Sequence, residues 1–181
     1  EGEFVLGILA RLEEYKGHLD ILDAVKLLRA QGRPVRLLIA GAGGFEPEIK
    51  ARCTELGLDG CVSFLGFVQQ VDEVLSILDL QLNASYGTET SSLSILEGLS
   101  MGLPAVVSDY GGNPWLIDNG RDGLLFRTRD SGDLARCIAR LMDEPDTLAQ
   151  MRRGAEEIFA KRFTGEIFAA NVERVYRAAM K

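Results

Sequence analysis

Short apolar segments alternate with amphipathic segments along most of the chain, and this alternation is the feature that most constrains the fold. Each apolar run is brief and ends at turn residues, which is typical of buried strands. We predict six strands, at 4–10, 35–40, 62–65, 80–84, 105–108 and 124–126. Runs of this length are far shorter than the roughly 20 apolar residues that span a bilayer.

The segments between these strands carry apolar residues at helical spacing. In the first, Ile21, Val25 and Leu28 recur with charged residues between them, and Gly-Arg-Pro at 32–34 ends the pattern. Further helices are predicted at 47–56, 71–78, 93–101, 134–142, 148–160 and 167–180. The order predicts an α/β fold, a Rossmann-like doubly wound parallel sheet with helices on both faces and helices at the C-terminal end. Ligands of such folds bind at the loops that follow the strands.

Length, charge and cysteine content narrow the class of protein. The 181 residues are enough for one well-buried core, so we predict a single domain over 1–181. A net charge of −7 argues against a broad electropositive surface, and nucleic acid is not expected as a partner. Cys53, Cys61 and Cys137 form no C-x-x-C pair and are predicted to be reduced thiols in a cytoplasmic protein.

Two early loops carry groups suited to a phosphorylated ligand. Arg11 and Lys16 lie five residues apart after the first strand. A guanidinium can donate two parallel hydrogen bonds to phosphate oxygens and an ammonium group carries a compact positive charge, so the pair suits a diphosphate. Surface cations are common, so the pair alone is a weak signal. Gly41 and Gly43 follow the second strand, where main-chain amides can approach a ligand, although a tight turn explains them equally well. A dinucleotide fingerprint would need glycine at 46, where Glu46 stands.

The segment 83–98 is the most informative part of the chain. Glu89 and Glu97 lie eight residues apart, and either Ser91 or Ser92 is a good N-cap for the intervening helix. Free amides at that helix N-terminus would bind a diphosphate, and the carboxylates would accept hydrogen bonds from sugar hydroxyls. Glu97 falls four residues after Leu93, on a face that we expect to be buried, so its carboxylate should need a partner.

The loop 109–114, the single histidine and the lack of a metal-binding motif add little to the functional prediction. The loop 109–114 contains two glycines, and it either closes over the site or forms a plain turn before a short helix. His18 is the only histidine, and we expect it to be a surface residue of the first helix without a catalytic role. No Asp-x-Asp sequence is present, so we expect neither a metal site nor another cofactor.

Taken together, five motifs resemble those of the C-terminal domain of retaining glycosyltransferases of family 4, the group 1 glycosyltransferases with the GT-B fold. The segment 11–17 resembles R-L-x-x-x-K-G, and 39–43 resembles the glycine loop of that family. The segment 64–68 is similar to its F-L-G-x-V loop near the base. Glu89 to Glu97 match E-x7-E, and 102–107 is similar to G-x-P-V-V. The resemblance covers nearly the whole chain.

The resemblance implies a role for each site residue in binding a nucleoside diphosphate sugar. Arg11 and Lys16 would bind the phosphates, together with the amides of Ser92, Leu93 and Ser94. Glu89 would bind the donor sugar, Glu97 the ribose and Val68 the base. Where the family has G-F-G, this chain has Thr90-Ser91-Ser92, whose hydroxyls would reshape the sugar pocket, so the resemblance does not fix the donor sugar. The nucleotide is not fixed either, and the expected donor is a UDP-, GDP- or ADP-sugar.

The implied reaction is retaining transfer of the sugar to an acceptor hydroxyl, with Glu89, Arg11 and Lys16 as the catalytic residues and no metal. The acceptor, a glycan, lipid or small molecule, would be bound by an N-terminal domain that is absent here, against which the helix at 167–180 would pack. That domain would also decide any peripheral membrane association. The alternatives are a nucleotide-sugar 2-epimerase, a dinucleotide-binding module and a non-catalytic partner domain.

Overall fold

A computed structural model describes residues 2–180 and contains one sheet of six parallel strands. The strands are β1 (Phe4–Leu9), β2 (Val35–Ala40), β3 (Val62–Gly66), β4 (Leu80–Asn83), β5 (Ala105–Ser108) and β6 (Gly123–Phe126). Their order across the sheet is β3-β2-β1-β4-β5-β6. The predicted doubly wound parallel sheet is confirmed, and each predicted strand is found within one residue of its predicted ends.

Eight α-helices connect and follow the strands in the described part of the chain. They are α1 (His18–Ala30), α2 (Glu46–Glu55), α3 (Val71–Ser76), α4 (Leu93–Ser100), α5 (Asn113–Leu116), α6 (Ser131–Asp143), α7 (Pro145–Arg162) and α8 (Gly165–Ala179). A short 3-10 turn, Glu14–Lys16, precedes α1. The predicted helices are therefore all present, and most of them begin or end a few residues away from the predicted limits.

Helices cover both faces of the sheet. On one face, buried residues of α1, α2 and α6 pack on the strands around Leu6, Leu37 and Phe126. On the other face, α4 and α5 pack on β5 through Ile95, Leu116 and Val107. Because the strands are covered on both sides, the residues within each strand are apolar in nearly continuous runs and do not alternate between apolar and polar.

The direction of the sheet order reverses between β1 and β4. From β1 the chain moves outward through β2 and β3, and it then returns to place β4 on the other side of β1. The two central strands share only the pairs Leu6–Leu80 and Gly7–Gln81, whereas β1 and β2 are paired along their whole length. The loops after β1 and β4 diverge at this point and form a crevice, where doubly wound folds bind their ligands.

His18 lies in the interior, and the prediction of a surface position was wrong. Gly17 has a left-handed conformation, with a φ of 74°, and its Cα lies against the main chain of Ala84. Because of this close contact the first turn of α1 packs on the end of β4, and His18 is only 1% exposed. Burial lowers the pKa of His18 to about 4, and the ring is therefore neutral at physiological pH.

Helix α8 contrasts with the rest of the described chain because none of its residues is buried. Phe168, Val175, Tyr176 and Met180 are among the most exposed apolar side chains. Cys53 and Cys61 are buried and Cys137 is half-buried, and all three are free thiols. Within residues 2–180, no helix is both long enough and apolar enough to cross a membrane.

Candidate functional site

Two cavities open at the carboxyl edge of the sheet, one on each side of Arg11. The first has a volume of about 350 Å3 and is lined by Arg11 and Lys16 from the loop after β1, and by Glu89 and 91–94 from the segment after β4. The second, of about 240 Å3, is lined by Arg11, Gly41, Val68, Ser94 and Glu97. All predicted site residues except Gly43 therefore line one cavity or the other.

Glu89 is buried at the base of the first cavity and is held by three donors. Lys16 Nζ lies 2.9 Å from its Oε2 atom, Ser85 Oγ lies 2.9 Å away and Asn83 Nδ2 lies 3.2 Å away. Burial raises the pKa of Glu89, but the hydrogen bonds from Lys16, Ser85 and Asn83 outweigh it and keep the pKa below its usual value. Glu89 is thus an ionised carboxylate in a largely buried place.

Every one of these hydrogen bonds uses the same oxygen of Glu89. Within residues 2–180, no hydrogen bond to its Oε1 atom is found, and the side chain lines the first cavity. The lone pairs of Oε1 are therefore still available to accept hydrogen bonds. Glu89 therefore offers a fixed, negatively charged acceptor to the hydroxyl groups of a ligand in the cavity.

The two predicted cations occupy different environments. Arg11 is exposed and donates from Nη2 to the Tyr15 hydroxyl at 2.6 Å, whereas Lys16 is part-buried and paired with Glu89. The Tyr15 ring also faces Lys16, at 5.6 Å from Nζ to the ring centre. The main-chain carbonyl of Tyr15 accepts a hydrogen bond from Tyr86 N at 2.9 Å. Tyr15 thus joins the loop after β1 to the loop after β4.

Helix α4 begins at the first cavity. Its N-cap position is Ser92, one of the two predicted, although the Ser92 side chain makes no capping hydrogen bond. The first residues of the helix, Leu93 and Ser94, also line the cavity. The amides of the first turn of a helix have no partner within the helix, and they carry its partial positive charge. The buried Gln81 donates from Nε2 to the Ser94 carbonyl at 2.9 Å, which fixes this first turn on the sheet. The cavity wall thus combines cations with free amides.

Glu97 does not have the environment that we predicted. It is exposed and makes no ion pair among the described residues, and Leu93 and Met101 are also exposed. The buried face of α4 consists of Ile95, Gly98 and Leu99 instead. Gly98 lies against Gln81, and this close approach sets the rotation of the helix. The carboxylate of Glu97 consequently faces the second cavity and needs no partner within the protein.

The glycine loop after β2 is required for packing. A Cβ atom on Gly41 would overlap the carbonyl of Ala10, and one on Gly43 would overlap that of Leu12. Leu12 N donates to the Ala42 carbonyl at 3.0 Å, which ties this loop to the loop that carries Arg11. Gly41 also has a φ of 140°, which is accessible only to glycine. The tight-turn interpretation therefore explains both residues, and Gly43 lines neither cavity.

Sequence reasoning missed Asn83 and Ser85 as parts of this site. Both are buried, and Asn83 also accepts a hydrogen bond from Ser85 N at 3.0 Å through its Oδ1 atom. The available signal was a pair of polar residues at the end of an apolar strand, which is where a doubly wound sheet places its ligand-binding groups. Together with Lys16, these two residues hold Glu89 in place and keep it ionised.

The assembled site has the features of a receptor for an anionic ligand with a polyhydroxyl part. The cations and the start of α4 suit phosphate oxygens, Glu89 suits hydroxyl groups, and the second cavity has a mainly apolar wall that includes Val68. Within the described residues, no group of three His, Cys, Asp or Glu side chains is arranged to bind a metal ion.

Comparison with known proteins gives a consistent result. The family model for glycosyl transferases group 1 matches residues 3–144. The 2-deoxystreptamine glucosyltransferase of Streptomyces kanamyceticus is 29% identical in an alignment of 181 positions that covers 97% of this chain and 46% of that protein. The D-inositol 3-phosphate glycosyltransferase of Corynebacterium jeikeium is 30% identical in an alignment of 182 positions that covers 95% of this chain and 43% of that protein. The chain spans less than half the length of both relatives.

Solved structures agree with these sequence relatives. HepE of Anabaena in complex with UDP-glucose superposes with a TM-score of 0.88 at 26% identity, covering 99% of this chain and 49% of that one. The C-terminal domain of a group 1 glycosyl transferase of Francisella tularensis, at 19% identity, shares the fold with a TM-score of 0.81 over 91% of this chain and 88% of that one. The sheet order, the two cavities and the matched family model lead to one conclusion: the chain belongs to the group 1 glycosyl transferases.

Proposed function

We propose that this domain binds a nucleoside diphosphate sugar and supports retaining transfer of the sugar to an acceptor hydroxyl, as in glycosyltransferase family 4. The observation that carries the proposal is the arrangement of Lys16, Glu89 and the start of α4 around one cavity, next to a second cavity that contains Glu97. A diphosphate at the start of α4 would place its sugar toward Glu89 and its nucleoside toward Val68.

The charges of the first cavity fit the demands of the reaction. Breaking the glycosidic bond to a diphosphate leaves negative charge on the departing phosphate, and fixed donors already aimed at that charge lower the barrier. Arg11, Lys16 and the amides of Ser92, Leu93 and Ser94 would supply these donors. We propose that they act without a metal ion, because the cations and the helix N-terminus already provide the positive charge that a metal would supply.

Glu89 would bind the sugar as a carboxylate. Its lowered pKa keeps it ionised at neutral pH, and Oε1 is the atom available to sugar hydroxyls. Ser91 and Ser92 lie beside it in the cavity wall and would contact the same sugar. Among donors we place UDP-glucose first, because HepE, at 26% identity, was solved with UDP-glucose. Glu97 would bind the ribose from the second cavity.

The remaining half of such an enzyme is also part of the proposal. The chain covers 46% and 43% of its two relatives, so we propose that an N-terminal domain supplies the acceptor site. The acceptor would be a glycan, a lipid or a small molecule. The unburied apolar residues of α8, Phe168 and Tyr176 among them, would pack against that domain.

Calorimetric titration of the 181-residue chain with UDP, GDP, ADP and NAD tests the proposal. We expect saturable binding of one nucleoside diphosphate, weakened by at least about tenfold in Glu97→Ala and in the double variant Arg11→Ala with Lys16→Ala. The double variant Arg153→Ala with Lys161→Ala removes two exposed cations of α7 and is the matched control.

Two results of this titration would contradict the proposal. Tighter binding of NAD than of every nucleoside diphosphate would favour a dinucleotide-binding module. Equal losses in the site variants and in the control variant would show that the cations act only through net charge. Retention is tested separately on the full-length enzyme, by the anomeric coupling constant of the newly formed product in its proton NMR spectrum.

A further inference from the structure

A chain of buried hydrogen bonds runs behind Glu89, on the side away from the first cavity. Asn113 Nδ2 donates to Ser108 Oγ at 3.0 Å, and Ser108 Oγ donates to the Ser85 carbonyl at 2.6 Å. The hydroxyl of Ser85 then donates to Glu89 Oε2 at 2.9 Å. Ser85, Ser108 and Asn113 are each at most 1% exposed. The main chain of Ser85 is thus held by the end of β5 and the start of α5, and its side chain holds the carboxylate.

The donors and acceptors of this chain have only one consistent order. The hydroxyl of Ser108 has a single proton, which it donates to the Ser85 carbonyl, so its oxygen must accept from its other neighbour. Asn113 therefore has to present its amide nitrogen. A residue that offers only an acceptor at position 113 would break the order at a fully buried place, where an unpaired polar group is costly.

The main chain of Glu89 is held by the same region. Gly112 N donates to the Glu89 carbonyl at 3.0 Å. A Cβ atom on Gly111 would overlap that carbonyl, and one on Gly112 would overlap the carbonyl of Thr90. The segment 109–114, hereafter the Gly-Gly loop, is thus in direct contact with the backbone of Glu89 and Thr90.

The Gly-Gly loop is itself anchored at its first residue. Asp109 N donates to the Phe126 carbonyl at 2.9 Å, and the Asp109 carboxylate accepts from Thr128 N at 2.8 Å and from the Thr128 hydroxyl. These hydrogen bonds fix the loop to the end of β6. Anchored in this way, the loop lies against the backbone of Glu89 and Thr90 and leads into α5.

We propose that Ser108 and Asn113 are positioning residues that set the orientation of the Glu89 carboxylate through Ser85. The inference rests on the sugar-binding role proposed for Glu89. Neither residue lines the two cavities, so neither is expected to touch the donor. Their loss should weaken the contribution of the sugar to binding and leave the contribution of the nucleoside diphosphate unchanged.

The first test measures the ionisation of Glu89 directly and needs no ligand. In protein labelled with 13C at the glutamate side-chain carboxyl, the resonance of Glu89, assigned with Glu89→Gln, is followed from pH 2.5 to 8. In Ser108→Ala and Asn113→Ala we expect Glu89 to titrate at a higher pH than in the wild type, because the donation from Ser85 is weakened while the ion pair with Lys16 remains. A titration unchanged in both variants would overturn the proposal.

The second test separates the sugar from the nucleotide. We expect Ser108→Ala to lose about tenfold in affinity for UDP-glucose and less than twofold for UDP. Ser108→Thr keeps the hydroxyl and should retain most of the affinity for UDP-glucose that Ser108→Ala loses. The combined Ser108→Ala and Asn113→Ala variant should be no worse than Ser108→Ala alone, because both act through one chain. Equal losses for UDP and UDP-glucose would overturn the positioning role.

General destabilisation is controlled by Ile138→Val. Ile138 is fully buried in α6, and this substitution loosens the core without touching the hydrogen-bonded chain. Ile138→Val should leave the pH at which Glu89 titrates, and the ratio of the affinities for UDP-glucose and UDP, at their wild-type values. A wild type that binds no nucleoside diphosphate would refute the proposed function, whereas the carboxyl titration would still decide whether Ser108 and Asn113 govern Glu89.

Discussion

Glu89 and Asp122 are two buried carboxylates with opposite properties. Glu89 lies at the carboxyl edge of the sheet and receives three side-chain donors, one of them a cation, which lower its pKa. Asp122 lies just before β6, at the amino edge, where Asp118 N donates to its Oδ1 atom at 2.8 Å. Its Oδ2 atom is buried without a partner among the described residues, and burial raises its pKa to about 6.

The difference shows that burial alone does not determine whether a carboxyl group is charged. Both side chains lose most of their contact with water, and desolvation favours the neutral form of each. The donors around Glu89 reverse this effect, and main-chain donation at Asp122, from Asp118 N among others, does not. The carboxylate proposed to bind sugar hydroxyls is the one that the protein keeps ionised.

Removal of Lys16 should have the largest effect, because it makes Glu89 resemble Asp122. In Lys16→Met we expect the pKa of Glu89 to rise, and kcat/KM of the full-length enzyme to fall by about 100-fold or more as the leaving phosphate loses a cation. Lys16→Arg, which retains the charge, should lose much less. Lys50→Met, at an exposed position of α2, is the control, and a rate within threefold of the wild type in Lys16→Met would contradict the expectation.

His18 provides the corresponding case for a buried base. Its pKa of about 4 lies below the ordinary value of 6.5, so between these values the unfolded chain binds a proton that the folded chain does not. Its contribution to stability is complete above pH 6.5 and falls by about 3 kcal/mol as the pH drops to 4. Urea unfolding of the wild type and of His18→Leu at several pH values measures this contribution to the free energy of unfolding. If the free energies of the two proteins change in parallel with pH, the expectation for His18 is contradicted.

Asp122 should show the opposite dependence over an overlapping range. Its pKa of about 6 lies above the ordinary value of 3.8, so the folded chain is the one that binds the extra proton. The free energy of unfolding should therefore decrease by about 2 to 3 kcal/mol as the pH rises from 4 to above 6. Asp122→Asn should lack this decrease in urea unfolding. Since His18 and Asp122 oppose each other, the wild type alone would conceal both.

Glu97 should give the smallest effect, because it is an exposed carboxylate without a partner to lose. We expect Glu97→Gln to lower the affinity for UDP by about five- to tenfold, through weaker hydrogen bonds to the ribose, and to leave the urea midpoint unchanged. Glu48→Gln, at an exposed position of α2 where the carboxylate also makes no ion pair among the described residues, is the matched control in the same calorimetric titration. A stability change as large as that of Asp122→Asn would mean that Glu97 has a partner that this structure does not show.

The fold was predictable because each of its signals is local. Apolar runs, helical spacing and turn residues all act within about ten neighbouring positions, and β2 and β5 were predicted to the residue. The motifs around Arg11 and Glu89 were equally accessible, because the loops that follow the strands of a doubly wound sheet meet at one edge.

The remaining features depend on contacts between distant positions. His18 is buried because Gly17 lies on Ala84, and no pattern around residue 18 reveals that contact. The rotation of α4, which exposes Glu97, is set by the approach of Gly98 to Gln81 in a helix too short for its apolar face to be read reliably. Ser85, Ser108 and Asn113 are spread along the chain and meet only when β4 and β5 pair.

The narrow seam between β1 and β4 has a consequence for how the protein folds. Positions 6 and 80 pair there, and this is the largest separation along the chain between neighbouring strands of the sheet. The entropic cost of closing such a loop favours formation of the two halves of the sheet first and of the seam afterwards. Lys16 and Glu89 lie on opposite sides of the seam, so their ion pair should form late, and ligand binding in stopped-flow refolding should follow the slowest phase.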